Sequence, residues 1–183
     1  MFARPDAPMW RSATRPFLAI PLLPMTTDLV QAPSSPQALA DQVSQEIGVS
    51  EWVTISQAQV DLFADATGDH QFIHVDPARA ARESAFGGPI AHGFLSLSLL
   101  TALSQKVLPT FEGAIGINYG FDKVRFLTPV PVGARVRGRF VLSEFTPRNA
   151  REFTTRYAVT VEIEGAARPA LVADWITMTI LQG

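Results

Sequence analysis

Residues 63–100 read FADATGDHQFIHVDPARAARESAFGGPIAHGFLSLSLL, and the rest of the predicted fold is built around them. All three histidines of the chain, His70, His74 and His92, lie in this stretch beside Asp65, Asp69 and Asp76. Residues 94–104, which overlap its end, include five leucines and a phenylalanine, which is typical of a helix buried in a core. The sequence therefore places titratable side chains next to a segment that is expected to form part of the hydrophobic core.

Local signals predict how Asp69 and His74 are presented. Ser56 followed by Gln59 has the spacing of a capping box, and Gly68 is a suitable end for the short helix that this box begins. Asp76 and Pro77 are good first residues for a second helix over residues 77–83. Residues 70–73 between the two helices show no helical pattern. We therefore expect a curled loop, because on one continuous helix residues 69 and 74 would lie about 140° apart.

A carboxylate and an imidazole that meet at one water molecule form an acid/base pair, in which one group takes a proton while the other gives one. Asp69 and His74 are the candidates for this pair. The alternative is that Asp69 is a turn residue and His74 a hydrogen-bonded structural group. For His92, inside a glycine-rich turn, we favour a structural role in which the ring orients the backbone through a hydrogen bond.

The turn AFGGPIAHG, residues 85–93, is expected to place main-chain N–H groups without hydrogen-bond partners at the start of the apolar helix. The amide of Gly93 would combine an unsatisfied N–H donor with the positive end of the helix dipole, which suits a developing oxyanion. A tight turn without a catalytic role is the alternative.

His70, His74 and His92 could also supply metal ligands, but the spacing HxxxH of His70 and His74 aligns two rings only on a helix, so no metal is expected. No segment matches a dinucleotide or P-loop pattern.

The flanking segments predict an α+β domain. A helix is expected over residues 38–49, ended by Gly48, and a short strand around Trp52. From residue 114 onward apolar residues alternate, as in long antiparallel strands, with a bend or bulge near Asp122 and Lys123 where the parity changes. These strands would wrap the central helix. Trp175 is predicted to face an outer surface that dimerisation would cover.

Composition narrows the class of protein. The 183 residues are 47% hydrophobic, carry a formal charge of −2 and include no cysteine. A net charge this small produces only a weak electrostatic field, so nucleic-acid binding is not expected. The absence of cysteine excludes disulfides and thiol nucleophiles. Residues 1–36 hold seven prolines and are predicted to be an irregular arm before one domain at 37–183, with Met25 as an alternative start that would make 1–24 an extension. No spanning helix is expected, and a cytoplasmic location is compatible with the missing cysteines.

Three segments carry a resemblance to a known family. GDHQFIHVDP (residues 68–77) and PIAHGFLSLSLL (89–100) resemble the signature of the MaoC-like dehydratases, the (R)-specific enoyl-CoA hydratase group of the hot-dog superfamily, and NYGFDKVRFLTPVPVG (118–133) is similar to its strand and turn. The resemblance covers roughly residues 50–180. It implies a hot-dog fold, with a long central helix wrapped by a curved antiparallel sheet, and a homodimer with a continuous sheet.

The resemblance also implies an activity: reversible syn addition of water to a trans-2-enoyl thioester of coenzyme A or acyl carrier protein. Asp69 and His74 would be catalytic, the Gly93 amide would bind the thioester oxygen, and no cofactor is required beyond the coenzyme A of the substrate. Further candidates for substrate contact are Phe72, Ile73, His92, Phe94, Thr101, Lys123 and Arg125. Gln71 and Phe72 stand where the family commonly has Asn-Pro. A hot-dog thioesterase and a non-catalytic acyl-CoA-binding dimer subunit are the alternatives.

Overall fold

The computed structural model describes residues 35–182, so the predicted N-terminal arm and the alternative start at Met25 lie outside the described residues, apart from Ser35 and Pro36. In chain order the elements are α1 Pro36–Ala40, β1 Glu46–Val49, β2 Val53–Thr54, α2 Gln57–Thr67, α3 Phe72–Val75, α4 Pro77–Glu83, α5 Gly93–Ser98, α6 Leu100–Ser104, β3 Ile115–Phe126, β4 Arg135–Pro147, β5 Glu152–Ile163 and β6 Leu171–Ile180. None of these helices is long and apolar enough to span a membrane.

One antiparallel sheet forms the frame of the domain, with strand order β1-β4-β5-β6-β3 and the short β2 paired to β4. Strands β4 and β5 alternate buried and half-buried residues along most of their length, as the period-two pattern predicts. The buried side chains of β4, among them Phe140 and Leu142, join Leu95, Leu100 and Leu103 of the helices in one hydrophobic core. The predicted α+β architecture is confirmed.

The first predicted helix is wrong over most of its length. Helix α1 begins with the Ser35 cap and Pro36 but stops at Ala40, and residues 46–49 form strand β1 instead. Ser44 turns the chain with a φ of 73°, after which β1 pairs with β4. Hydrogen bonding to a neighbouring strand, which local periodicity does not contain, outweighs a modest helical pattern here.

The apolar run after Gly93 forms a nearly continuous central helix in two parts. Helices α5 and α6 meet at Leu99, whose φ of −65° and ψ of −13° keep it in the helical region. Burial is one-sided, which differs from the expectation of a helix enclosed on all sides: Leu95 and Leu100 are buried, whereas Phe94 is 67% exposed. The helix therefore covers the sheet with one face and leaves the other uncovered by any described residue.

Strand β3 is the edge of the sheet that carries the exposed apolar surface. Its pairing with β6 shifts register between Phe121 and Lys123, which confirms the predicted bulge, and shifts again between Asn118 and Gly120. Five large apolar side chains of this strand are exposed: Ile115, Ile117, Tyr119, Phe121 and Phe126. An exposed apolar edge strand is a site at which another chain can pair.

The prediction that Trp175 faces an outer surface is wrong. Trp175 is only 4% exposed, and its indole N–H donates to Asn118 Oδ1 at 3.0 Å across the β3–β6 pair. Leu171 and Ala173 lie on the same buried face of β6. The exposed apolar surface thus belongs to β3 rather than to β6.

Candidate active site

Asp69 stands directly after the end of α2. The capping box between Ser56 and Gln59 begins this helix, and Gly68 ends it with a φ of 78°, both as predicted. A glycine adopts this left-handed conformation without the steric cost that a Cβ imposes. The chain can therefore turn sharply at this point, and the Asp69 side chain, 54% exposed, leaves the turn on the side of the histidines.

His74 is presented by a single helical turn, α3, rather than by an irregular loop as predicted. The residue is buried, and its Nδ1 lies 2.7 Å from the carbonyl oxygen of Ile90. A carbonyl only accepts, so Nδ1 carries the proton of this hydrogen bond and Nε2 is left free to take or give another. Gln57 donates to the His74 carbonyl at 2.7 Å and fixes the turn from the other side.

The sharp turn at Gly68 and the short turn of α3 bring Asp69 and His74 together, with His92 as the third member. One carboxylate oxygen of Asp69 and one ring nitrogen from each histidine all lie within 4.8 Å of one another. This separation is close enough for a water molecule to lie between the carboxylate and an imidazole. Asp69 and His74 are therefore close enough to act as the acid/base pair that was predicted from the sequence.

His92 lies behind this pair, at the start of α5. Its Nε2 donates to the main-chain oxygen of Asp69 at 2.9 Å, and its ring stacks on that of His74 with centroids 3.8 Å apart. Phe63 of α2 contacts the same ring at a centroid distance of 5.1 Å. These contacts agree with the predicted role of orienting the backbone by a hydrogen bond.

A cleft of about 300 Å³ opens beside His74. Gly93, Ser96 and Phe126 line it together with residues of the following turn and Ala170. Ser96, which was not among the predicted site residues, is buried with its hydroxyl 3.4 Å from the His92 carbonyl. Its spacing of three residues from Gly93, which puts both on one face of a helix, was the available signal.

Gly93 contributes a main-chain surface to this cleft. His92, the residue that precedes α5, provides no side-chain cap for the first amides of the helix. The ring of Phe126 lies so close to Gly93 that an added Cβ would be 3.2 Å from two of its atoms. A glycine is therefore favoured here because the Phe126 ring approaches the main chain closely.

Two of the remaining candidates belong to α3. Phe72 is half-buried, with the Arg79 guanidinium 4.2 Å from its ring centroid. Ile73 is also half-buried, and its carbonyl accepts from the Ile90 amide at 2.9 Å. Neither residue lines the cleft, so their contact with substrate stays a prediction.

Four other candidates, Phe94, Thr101, Lys123 and Arg125, are exposed. Phe94 lies edge-on to Phe126 with centroids 5.8 Å apart, at the border of the cleft. Thr101 lies outside the cleft lining. Lys123 is 3.5 Å from Asp174, and Arg125 donates to the carbonyl of its neighbour Val124. Their contacts with a substrate also stay predictions.

Asp69, His74 and His92 are the side chains that a metal ion would use. The two rings are nearly parallel, inclined by 27°, and each already engages a carbonyl oxygen with one nitrogen. His92 Nε2, which lies 4.0 Å from the Asp69 carboxylate, donates to the Asp69 carbonyl and so has no lone pair for an ion. The arrangement therefore suits proton transfer better than metal coordination.

The sequence model of the MaoC-like domain matches residues 39–163, which include Asp69, His74, His92 and Gly93. The chain belongs to the MaoC-like dehydratase family. Among its MaoC-like relatives is Nodulation protein N of Rhizobium leguminosarum bv. viciae, which is 59% identical over 145 residues, 77% of this chain and 90% of the relative. The 3-hydroxyacyl-thioester dehydratase Z of Mycobacterium tuberculosis is 49% identical over 138 residues, 75% of this chain and 91% of the relative.

Solved structures of MaoC-like proteins confirm the hot-dog fold. The unliganded R-hydratase PhaJ1 from Pseudomonas aeruginosa superposes with a TM-score of 0.62 at 29% identity, covering 76% of this chain and 83% of that protein. The (R)-hydratase from A. caviae gives a TM-score of 0.57 at 26% identity, and the match covers 76% of this chain and 96% of that protein. These similarities support a hydro-lyase kind of enzyme.

Proposed function

We propose that this MaoC-like domain is an (R)-specific enoyl-thioester hydratase, which adds water reversibly to a trans-2-enoyl thioester and forms the (R)-3-hydroxyacyl thioester. The observation that carries the proposal is the convergence of Asp69 with His74, which lines the cleft together with Gly93. Support comes also from the names of similar proteins, a 3-hydroxyacyl-thioester dehydratase and two (R)-hydratases.

In the proposed reaction, Asp69 and His74 jointly hold and activate one water molecule. The thioester makes C3 of the enoyl group electrophilic. The water oxygen bonds to C3 while His74 Nε2, which carries no proton, takes a proton from the water. The pair then delivers this proton to C2, so the hydrogen and the hydroxyl group of one water are both added and no other reactant is needed. Each well-placed acid or base contributes about 10²- to 10⁴-fold in rate.

The Gly93 amide has a separate role in this proposal. As water adds to C3, negative charge moves onto the thioester oxygen, and an N–H donor directed at that oxygen lowers the barrier. The amide stands at the start of α5, where His92 supplies no competing side-chain cap. Both groups of the acid/base pair act from one side of the bound enoyl chain, which gives syn addition.

The substrate carrier in this proposal is coenzyme A or acyl carrier protein, and no further cofactor takes part. The active form is a homodimer in which the free edge of β3 pairs with the same strand of a second copy. The exposed apolar side chains of β3 and its position at the end of the sheet support this arrangement.

The test is turnover of crotonyl-CoA and longer trans-2-enoyl-CoA substrates, followed by loss of the absorbance of the conjugated thioester. We expect the wild-type protein to hydrate at least one of them to the (R) product, and Asp69→Asn and His74→Gln each to lose about 10²-fold or more in kcat. His70→Gln is the matched control, since His70 belongs to the same stretch but is exposed and lies 3.8 Å from Asp65.

Undiminished turnover in both variants, or an (S) product, would contradict the proposal. A thiol reagent in the same assay distinguishes the thioesterase alternative, because hydrolysis releases free coenzyme A whereas hydration leaves the thioester intact. Binding of an enoyl-CoA with neither reaction would identify the non-catalytic subunit instead.

A further inference from the structure

His92 contacts both members of the proposed acid/base pair without lining the cleft beside His74. Its ring is 3% exposed, and it bridges the end of α2, the turn of α3 and the start of α5. The reaction described above does not use it. The question is why a titratable ring is buried at this position.

The hydrogen bonds of Asp69 indicate what His92 does. The Asp69 amide reaches Thr67 Oγ1 only at 3.5 Å, and the Asp69 carboxylate accepts from the Gln71 amide only at 3.4 Å. By contrast, His92 Nε2 donates to the Asp69 carbonyl at 2.9 Å, which is within the normal range for a hydrogen bond. The shortest hydrogen bond that holds Asp69 in place therefore comes from His92.

The same contacts fix the protonation of the two rings in opposite ways. His92 must carry its proton on Nε2, because the acceptor is a carbonyl oxygen, whereas His74 must carry its proton on Nδ1 for the same reason. His92 Nδ1 is buried and has no hydrogen-bond partner among residues 35–182. His92 Nε2 also lies 4.0 Å from a carboxylate oxygen of Asp69.

We propose that His92 is a positioning residue: its Nε2–H donor holds the main chain of Asp69 and its ring stacks on His74, and the two contacts together set the separation of Asp69 and His74. This inference rests on the proposed function, since the separation matters for a reaction in which both groups meet one water. The ring acts through Asp69 and His74 and does not touch substrate. Misplacement of a reacting group by about 1 Å is sufficient to cost about 10²-fold in rate.

The first test needs no substrate. The chain has three histidines, so the imidazole nitrogens of ¹⁵N-histidine-labelled protein give three sets of signals, and His70→Gln and His74→Gln assign them. At neutral pH we expect the protonated nitrogen to be Nε2 for His92 and Nδ1 for His74. A His92 that lacks a proton on Nε2, or that carries it there in only part of the molecules, would overturn the proposal.

The second test separates the hydrogen bond from the volume of the ring. His92→Gln keeps an N–H donor that can reach the Asp69 carbonyl, whereas His92→Phe keeps an aromatic ring beside His74 but has no donor. We expect His92→Phe to lower kcat about 10- to 10²-fold with KM within about twofold, and His92→Gln to restore most of that loss. A purely structural role would instead reduce thermal stability and activity of the two variants in proportion, and would overturn the proposal.

A double-mutant cycle completes the test and distinguishes the two hypotheses. If His92 acts through Asp69, then His92→Phe costs little further activity once Asp69→Asn is present, whereas independent effects would multiply and contradict the proposal. Should the wild-type protein fail to hydrate any enoyl thioester, the proposed function fails. The nitrogen signals then still decide whether His92 holds the Asp69 main chain.

Discussion

The ring of Phe126 lies directly against the backbone of Gly93, where an added Cβ would be 3.2 Å from the nearest ring carbons. Gly93 begins α5 and Phe126 ends β3, so this contact joins the helix to the edge of the sheet and forms one wall of the cleft. Only a residue without a side chain allows the aromatic wall to approach the amide this closely.

Gly93→Ala is therefore expected to displace Phe126 or the amide by a few tenths of an ångström, and to lower kcat/KM by about 10-fold, since a misaligned oxyanion donor loses part of its contribution of about 10²- to 10³-fold. Steady-state kinetics with the best enoyl-CoA substrate provides the measurement. The double variant Gly93→Ala with Phe126→Ala should recover part of the activity, because the smaller side chain leaves room for the added methyl group. If Gly93→Ala alone keeps full activity, the contact is not important for the site.

The exposed side chains of β3 predict the oligomeric state. Ile117→Lys places a charge in the middle of the proposed interface and should shift the protein from dimer to monomer in sedimentation velocity. Leu62→Lys, on α2, is the matched control, because Leu62 is also a large exposed apolar residue, at 56%. The interface assignment is wrong if Ile117→Lys sediments as the wild-type dimer, or if both variants dissociate equally.

Among the glycines of residues 35–182, Gly138 of β4 has the least space around it. An added Cβ would lie 2.8 Å from two atoms of the Phe140 ring and 3.3 Å from Leu103 of α6. Gly138→Ala should lower the free energy of unfolding by about 1–3 kcal/mol, because a core ring must move. Urea denaturation measures this loss. Gly88→Ala, at a position with nothing within 4 Å, should change stability by less than about 1 kcal/mol, and equal losses would contradict the packing argument.

The ion pairs on the outer face of β4 and β5 predict a dependence of stability on pH. Arg137, and then Arg139, hold the pKa of the Glu162 carboxyl below its usual value. A carboxylate with a lowered pKa in the folded protein stabilises it at pH values above the unfolded pKa, and this contribution is lost as pH falls through the folded pKa.

Glu162→Gln should therefore lower the free energy of unfolding at pH 7 by about 0.5–1 kcal/mol, with a difference from wild type that shrinks below about pH 4. Denaturation curves at a series of pH values provide the measurement. Glu112→Gln is the control, because Glu112 takes part in none of the ion pairs described for residues 35–182. A loss that stays constant from pH 7 to pH 3 would contradict the prediction.

The sequence by itself determined the features that depend on neighbouring residues. The capping box at Ser56, the stop at Gly68 and the start of α4 at Pro77 each follow from a few adjacent side chains, and all three are confirmed. The alternation in β4 and β5 likewise identified their buried faces. Because these signals are local, they also placed Asp69 and His74 at the two ends of one short turn.

Tertiary structure alone decided the features that depend on contacts between distant parts of the chain. Strand β1 replaced a predicted helix because β4 offers it hydrogen bonds, and Trp175 turned inward because β3 supplies Asn118 as a partner for its indole. The hydrogen bond from His92 to Asp69 spans 23 residues, and Phe126 reaches Gly93 from another strand. No local pattern encodes which distant groups meet, since their meeting is set by how the sheet and the helices pack.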